Sequence, residues 1–264
     1  MFVLLYSTSM YMFLHYKTHM QLRLIFIDNI IVSICVLTVA MLLPLNYYVR
    51  ILITIALVPL FVFINIHIRF WRSPKRKISE KLEHVVSPAD GRIIYIKEIL
   101  ADGKLESDKR GSVSELFEIS KTELSPAPCW QIGINMTPFD VHKNCSPING
   151  VVLFSKHFAG LFLSLKDKEA VSQNERHTYV IGTPEFRVAV VQIASKRVRR
   201  IDAYVEEKSA VKKGDWIGMI RFGSQVDVFI PIECELLIEQ GQQLYAGSTV
   251  IARIPDRFIE RDVE

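Results

Sequence analysis

The sequence predicts a predominantly β, α+β protein in which a β-rich domain follows an N-terminal hydrophobic helical hairpin. One observation is the placement of apolar residues. The chain is 50% hydrophobic with a net charge of only +4, and the excess lies in Leu24–Leu45 and Val49–Phe70. At about 1.5 Å per residue, either run is long enough for a helix to cross a hydrocarbon core of about 30 Å. The other observation is a change of period further on. "VVSPADGRIIYI", "CWQIGINM", "NGVVLFS" and "RVAVVQIA" are short apolar runs punctuated by Pro, Gly, Asp and Asn, the pattern of strands and turns.

Within the hairpin, Asp28, Asn29, Arg50, Pro59, Asn65, His67 and Arg69 trim the cleanest runs to Ile30–Leu45 and Ile51–Ile64. A spanning pair and a shallower, re-entrant pair are therefore both open. In either case Asn46-Tyr47-Tyr48 turns the chain back, so both ends emerge on one side. Lys17 and Arg23 precede the pair, Arg69, Arg72, Lys75, Arg76 and Lys77 follow it, and the turn offers only Arg50. The positive-inside rule then places everything after residue 70 in the cytoplasm, at the inner face of the cell membrane. Asp28 sits where a helix begins and favours an anion. The first twenty residues lack a basic n-region and a cleavage site, so they make a poor signal peptide; they form a short anchor, or the true start is Met20. The expected organisation is membrane-associated helices over 1–71, a basic linker over 72–86 and a β domain over 87–264.

Cys35, Cys129, Cys145 and Cys234 are scattered, with no CxxC spacing, which suggests neither a metal site nor a redox pair. Basic residues cluster after the hairpin and in "SKRVRRI", Ser195–Ile201, which suits an anionic bilayer surface or a solvated strand edge. No basic stripe interleaved with aromatics is present, so nucleic acid is not an expected partner. In the β domain, Asn135–Lys143 reads as a loop and Phe162–Val171 as the one helical stretch. "VKKGDWI" (Val211–Ile217) and "LYAGSTV" (Leu244–Val250) share a pattern in which a Gly turn feeds a strand. Paired turns of this kind resemble the two hairpins of a lipoyl- or biotinyl-like barrel-sandwich, although no Met-Lys pair sits at an apex to serve as a swinging arm.

The stretch "IRFGSQVDVFIP", Ile220–Pro231, reads as a strand interrupted by Gly223-Ser224, which marks either a bulge or a chemical break. Three chemically able residues stand in distinct contexts: Asp90 in "SPADG", His142 in "FDVHKN" and Ser224 in "FGS". Serine, imidazole and carboxylate are the residue types of a nucleophile, its base and the orienter of that base. Each alone has a bland alternative: Asp90 as a turn residue, His142 as a buried core histidine, Ser224 as a bulge.

These contexts resemble the phosphatidylserine decarboxylase family in its shorter bacterial and archaeal type. The likeness runs in order through "FWRSPKR", "SPADGRI", "FDVHKN", "SPINGVV", "NERHTYVI", "VAVVQIA", "RRI", "GDWIGMIRFGSQVDVFIP" and "GQQLYAGSTVIA". It implies that Ser224 attacks the Gly223 carbonyl with His142 as base and Asp90 orienting it. The chain then parts into 1–223 and 224–264, and residue 224 becomes a covalent pyruvoyl group, with no metal. It also implies phosphatidylserine as substrate, phosphatidylethanolamine as product and the membrane as partner; a homodimer is left open. Gln225, where an arginine is common, His177 and Cys145 depart from the family pattern and leave an archaetidylserine-type ether lipid as an alternative substrate. His157 and His177 read as surface positions. A serine hydrolase lacks its GxSxG elbow here, and a noncatalytic barrel-sandwich membrane adaptor would have no reason for Gly-Ser within a strand.

Overall fold

The computed structural model describes residues 30–99, 119–138, 140–165, 169–196, 200–221 and 224–259, with Ser224 described by its backbone. The expectations for Lys17, Met20, Arg23, Asp28, Arg197, Arg199 and Gly223 lie outside these residues. The chain divides into two compact units, Met1–Arg72 and Ser73–Glu264.

In the first unit, α1 (Ile30–Leu42) and α2 (Tyr47–Trp71) are joined by a tight turn. Asn46 caps α2, its Oδ1 accepting the Tyr48 N–H at 2.9 Å. Arg50 reaches back to the carbonyls of Leu45 and Met41 at 2.9 and 3.0 Å, satisfying oxygens that the end of α1 leaves over. The window Tyr47–Asn65 is long and apolar enough to cross a membrane, whereas α1 is a shorter apolar helix among the described residues. Pro59 lies inside α2, a tolerated position in helices of this kind.

The second unit is predominantly β. Its strands are β1 (His84–Val86), β2 (Gly91–Ile99), β3 (Cys129–Met136), β4 (Lys143–Cys145), β5 (Gly150–Phe158), β6 (Arg176–Gly182), β7 (Arg187–Ala194), β8 (Ile201–Ala203), β9 (Ala210–Val211), β10 (Trp216–Ile220), β11 (Ser224–Pro231), β12 (Glu235–Leu236), β13 (Gln243–Leu244) and β14 (Val250–Arg253). A curled eight-stranded sheet has the order β13-β2-β3-β11-β7-β6-β5-β9, and two three-stranded sheets, β1-β14-β12 and β4-β10-β8, complete the fold. Both faces are covered at the centre of the large sheet. Val188 and Val190 of β7 join one buried cluster with Val226, Val228 and Ile230, while Ala189, Val191 and Ile193 join another with Phe229. That is why "RVAVVQIA" is continuously apolar and does not alternate.

The unit is internally two-fold. The sheet order reads as the same architecture from either end, with β2, β3 and β11 answered by β5, β6 and β7. Bulges fall at Ile93/Tyr95 and at Val152/Phe154. The corners "SPADG" and "SPING" match bond for bond. Ser87 Oγ donates to the Ala89 carbonyl and Ser146 Oγ to the Ile148 carbonyl, each at 2.7 Å. The Val86 N–H meets the Pro147 carbonyl at 3.0 Å and the Cys145 N–H meets the Pro88 carbonyl at 2.9 Å. Gly247 and Gly214, at φ +72° and +88°, donate their N–H groups to the carbonyls of Ser87 and Ser146. These are the paired turns of "LYAGSTV" and "VKKGDWI".

Three expectations change. Phe162–Val171 is not a helix: residues 162–165 are irregular and helix α3 is confined to Ala170–Gln173. The Asn174 side chain binds the Leu163 N–H at 2.7 Å and its carbonyl at 2.9 Å, giving that backbone partners a helix would have claimed. The loop after β3 is shorter than Asn135–Lys143, since Asn135 and Met136 pair with β11 and Lys143 with β10. His177 is buried at 5% exposure and not on the surface.

Candidate active site

The Gly-Ser pair does not interrupt one strand. β10 belongs to the small sheet β4-β10-β8 and β11 to the centre of the large one, so residues 221–223 connect two sheets. Ser224 opens β11, with its backbone opposite Met136 on one side and Ala194 on the other.

Register brings the other candidates to this corner. Gln225 faces Asn135, and Asn135 faces Arg92. One residue further along, Gly91, Met136 and Ser224 therefore occupy one row, with about 10 Å separating the outer backbones across two strand spacings, and Asp90 immediately precedes the outer member Gly91. Gly91 makes the row possible, because at φ +152° a Cβ there would meet the Asn135 carbonyl oxygen at 2.5 Å. His142 arrives on the loop leaving Met136. Asp140 closes that loop, its Oδ2 accepting both the N–H and the hydroxyl of Thr137 at 2.7 Å. The His142 carbonyl then accepts the Ile220 N–H at 3.2 Å. The loop bearing His142 thus begins opposite Ser224 and ends against the last residue of β10. Beyond it, Gln192 holds Asn144 at 2.7 Å, fixing the "HKN" segment to β7.

His142 is fully buried. Its Nδ1 lies 2.9 Å from the Asp140 carbonyl oxygen, which can only accept, so Nδ1 carries a hydrogen and in the neutral ring Nε2 holds the lone pair. The ring is set as the tautomer a base at Nε2 requires. Asp90 is 3% exposed. Its Oδ1 accepts the Ala246 N–H at 2.7 Å, and Nη2 of Arg76 contacts Oδ1 at 3.0 Å and Oδ2 at 2.7 Å. Burial raises the carboxyl above its usual value, while Arg76 and the Ala246 N–H pull it back. The contacts described for the carboxylate and the imidazole thus differ from the simple orienter pair: Nδ1 is directed by a backbone carbonyl and Asp90 is held by Arg76.

Reading the sequence missed two groups. Arg76 stood in "FWRSPKR" and was counted only as topology-setting charge. The second is a buried network beside Ser224. Asp227 is fully buried and accepts hydrogen bonds from Tyr95 Oη at 2.6 Å, Gln131 at 2.5 Å and Gln225 at 2.6 Å, and Gln225 also reaches Tyr95 at 2.6 Å. Burial raises the Asp227 carboxyl, opposed by these donors and by the charge of Arg176. The alternating polar residues of "SQVD" were the available signal.

Comparison with known proteins places this arrangement. The phosphatidylserine decarboxylase family profile matches residues 63–252. A putative archaetidylserine decarboxylase proenzyme of Methanothermobacter thermautotrophicus is 37% identical over 197 residues, covering 74% of this chain and 83% of that protein. A phosphatidylserine decarboxylase proenzyme of Cytophaga hutchinsonii is 32% identical over 200 residues, covering 75% and 81%. One from Xanthobacter autotrophicus is 38% identical over 182 residues, covering 69% and 71%. The class is therefore that of a carboxy-lyase of phospholipid biosynthesis made as a proenzyme. The chain belongs to the phosphatidylserine decarboxylase family.

Proposed function

We propose that this enzyme converts phosphatidylserine to phosphatidylethanolamine at the cytoplasmic face of the membrane, after cutting itself between Gly223 and Ser224. The single observation that carries the reading is the corner itself: the expected scissile bond lies where the chain passes from one sheet to another, so parting it severs no strand pairing of β11. In this reading His142 Nε2 takes the Ser224 hydroxyl proton, and the acyl group of Gly223 moves from nitrogen to oxygen. Elimination of the ester then frees a carboxylate at Gly223, and hydrolysis releases ammonia. Asp90 contributes the negative charge that favours protonated His142.

A pyruvoyl group at 224 fits the position, because the end of β11 is fixed by Met136 and Ala194 whether or not it is joined to Gly223. Once formed it supplies a ketone next to an amide, which accepts the electrons left when carbon dioxide departs. His142, buried on the loop that follows the strand residue opposite position 224, would hold or return the proton at Nε2. The organisation into helices 1–71, linker 72–86 and catalytic domain 87–264, with a barrel-sandwich core, is supported by the division at Arg72 and by the internal two-fold. The apolar window Tyr47–Asn65 supports a membrane anchor that keeps the lipid headgroup at the interface.

An archaetidylserine substrate is the second reading, motivated by the relative named as a putative archaetidylserine decarboxylase proenzyme at 37% identity, beside 38% for the Xanthobacter autotrophicus phosphatidylserine decarboxylase proenzyme. The test supplies carboxyl-labelled phosphatidylserine and its ether-lipid analogue in detergent and measures released carbon dioxide. Hydroxylamine, which captures ketones, should abolish release from both lipids. Full activity after hydroxylamine treatment, or free serine as product, would overturn the reading.

A further inference from the structure

Arg76 belongs to neither of the two elements that form the Asp90 corner. It comes from the strap that begins at Ser73, two residues past the end of α2. The strap, itself part of the second unit, is fastened at several points to that unit's turns. Ile78 packs over Gly214 and Gly247, the two turn glycines related by the internal two-fold, so a Cβ on either would meet it. Further along, Lys213 Nζ donates to the Lys81 carbonyl at 2.5 Å. Ahead of both points Arg76 turns in, its side chain 15% exposed against 4% for that of Asp90, and its guanidinium also lies 5.6 Å from the centre of the Tyr245 ring.

We propose that Arg76 is a positioning residue for the self-processing chemistry, holding the Asp90 carboxylate ionised and fixed from the strap. The proposal rests on the reading that Asp90 acts in maturation. The internal two-fold separates this role from a structural one. In the other half, Asn149 takes the equivalent N–H, that of Lys213, at 2.8 Å. A neutral amide therefore suffices to staple the turn, and neither a carboxylate nor a guanidinium is needed for folding it. At position 90 the turn bond occupies one oxygen, and Arg76 bridges that oxygen and the second. The titratable groups coupled to Asp90 are Arg76, Asp140, Tyr245 and Cys145, and burial keeps the last two neutral. Arg76 is the cation of that set, and Asp140 opposes ionisation.

The full chain is synthesised in a cell-free reaction with detergent, and conversion of precursor to the two fragments is timed across a pH series. Arg76→Gln should slow conversion about ten-fold at neutral pH and move its acid limb upward by about one pH unit or more, the size of shift an opposite charge nearby confers. Arg76→Lys, which keeps the charge, should hold the acid limb near that of the parent. Arg76→Gly should regain conversion when methylguanidinium is added, entering by the cavity of about 270 Å³ that Ser73, Lys75, Arg76 and Trp216 line. A merely structural arginine would change yield or melting temperature and leave the acid limb where it was. Asp90→Asn is the control. If it converts normally, the reading of Asp90 fails; if it is blocked while Arg76→Gln converts at the parent rate with an unmoved acid limb, the inference about Arg76 alone is wrong. Should Arg76→Gln fail to fold, Arg76→Lys and the methylguanidinium rescue decide the matter by the same acid limb.

Discussion

Asp90 and Asn149 occupy equivalent corners of the two halves of the β unit. Asp90 Oδ1 accepts the Ala246 N–H at 2.7 Å and Asn149 Oδ1 accepts the Lys213 N–H at 2.8 Å. The amide performs the turn's structural task as well as the acid does, so the carboxylate at 90 calls for a chemical explanation. Asp90→Asn is therefore expected to fold with a melting temperature close to that of a Ser224→Ala precursor and to remain uncut. Gel analysis and a thermal scan of the same sample check both halves of the statement. Normal cleavage in Asp90→Asn would return Asp90 to the role of a turn residue.

Intact mass should find two chains, 1–223 and 224–264, the smaller lighter by one ammonia than simple hydrolysis would leave it. They should co-elute without denaturant. β11 is paired with β3 from Ser224 to Pro231 and with β7 from Ser224 to Phe229, while β13 and β14 of the same fragment pair with β2 and β1. Separation requires opening the centre of the sheet. A single uncut chain in an active preparation would refute the self-processing reading.

The Tyr95–Asp227 hydrogen bond should matter for stability. Tyr95→Phe removes one donor from a fully buried carboxyl, a loss on the order of 1–3 kcal/mol. Gly133→Ala acts on the same bond from the opposite direction, since a Cβ there would collide with the Tyr95 ring. Urea unfolding of Ser224→Ala precursors carrying each change measures the effect, and a midpoint within error of the parent would remove the network from the account of stability.

His177 adds a pH dependence. Burial lowers it from 6.5 to about 4, so between those values the unfolded chain binds a proton that the folded chain does not. Its contribution is therefore fully present above about pH 6.5 and lost as pH falls towards 4, on the order of 3 kcal/mol in all. His177→Asn should flatten the fall in unfolding free energy over that range. An unchanged slope would mean that His177 charges in the folded state without cost.

Much of this protein is legible in its residues because it depends on local chemistry or on the order of blocks. The apolar hairpin, the Gly-led turns at 214 and 247, and the chemical identities of Asp90, His142 and Ser224 are of this kind, and ordered blocks from "FWRSPKR" to "GQQLYAGSTVIA" were enough to indicate the family. The internal two-fold was legible only in the paired turns "VKKGDWI" and "LYAGSTV"; the match of "SPADG" with "SPING" gains weight only when the hydrogen bonds around them coincide. What tertiary structure decided is relational. "IRFGSQVDVFIP" carries no sign that its halves lie in different sheets, because both halves have the apolar pattern of a single strand. Helix-like spacing over Phe162–Val171 gave way to the Asn174 side chain, which captured backbone groups that a helix would have paired. His177 went inward because its strand is covered on both faces. Arg76 looked like one positive charge among five beside an apolar helix; only the path of the strap, fixed by Ile78 and Lys213 from distant turns, brings it to within 2.7 Å of Asp90. Sequence specifies which groups are able to react, and long-range strand register determines which of them meet, because pairing energy is distributed over strands far apart in the chain.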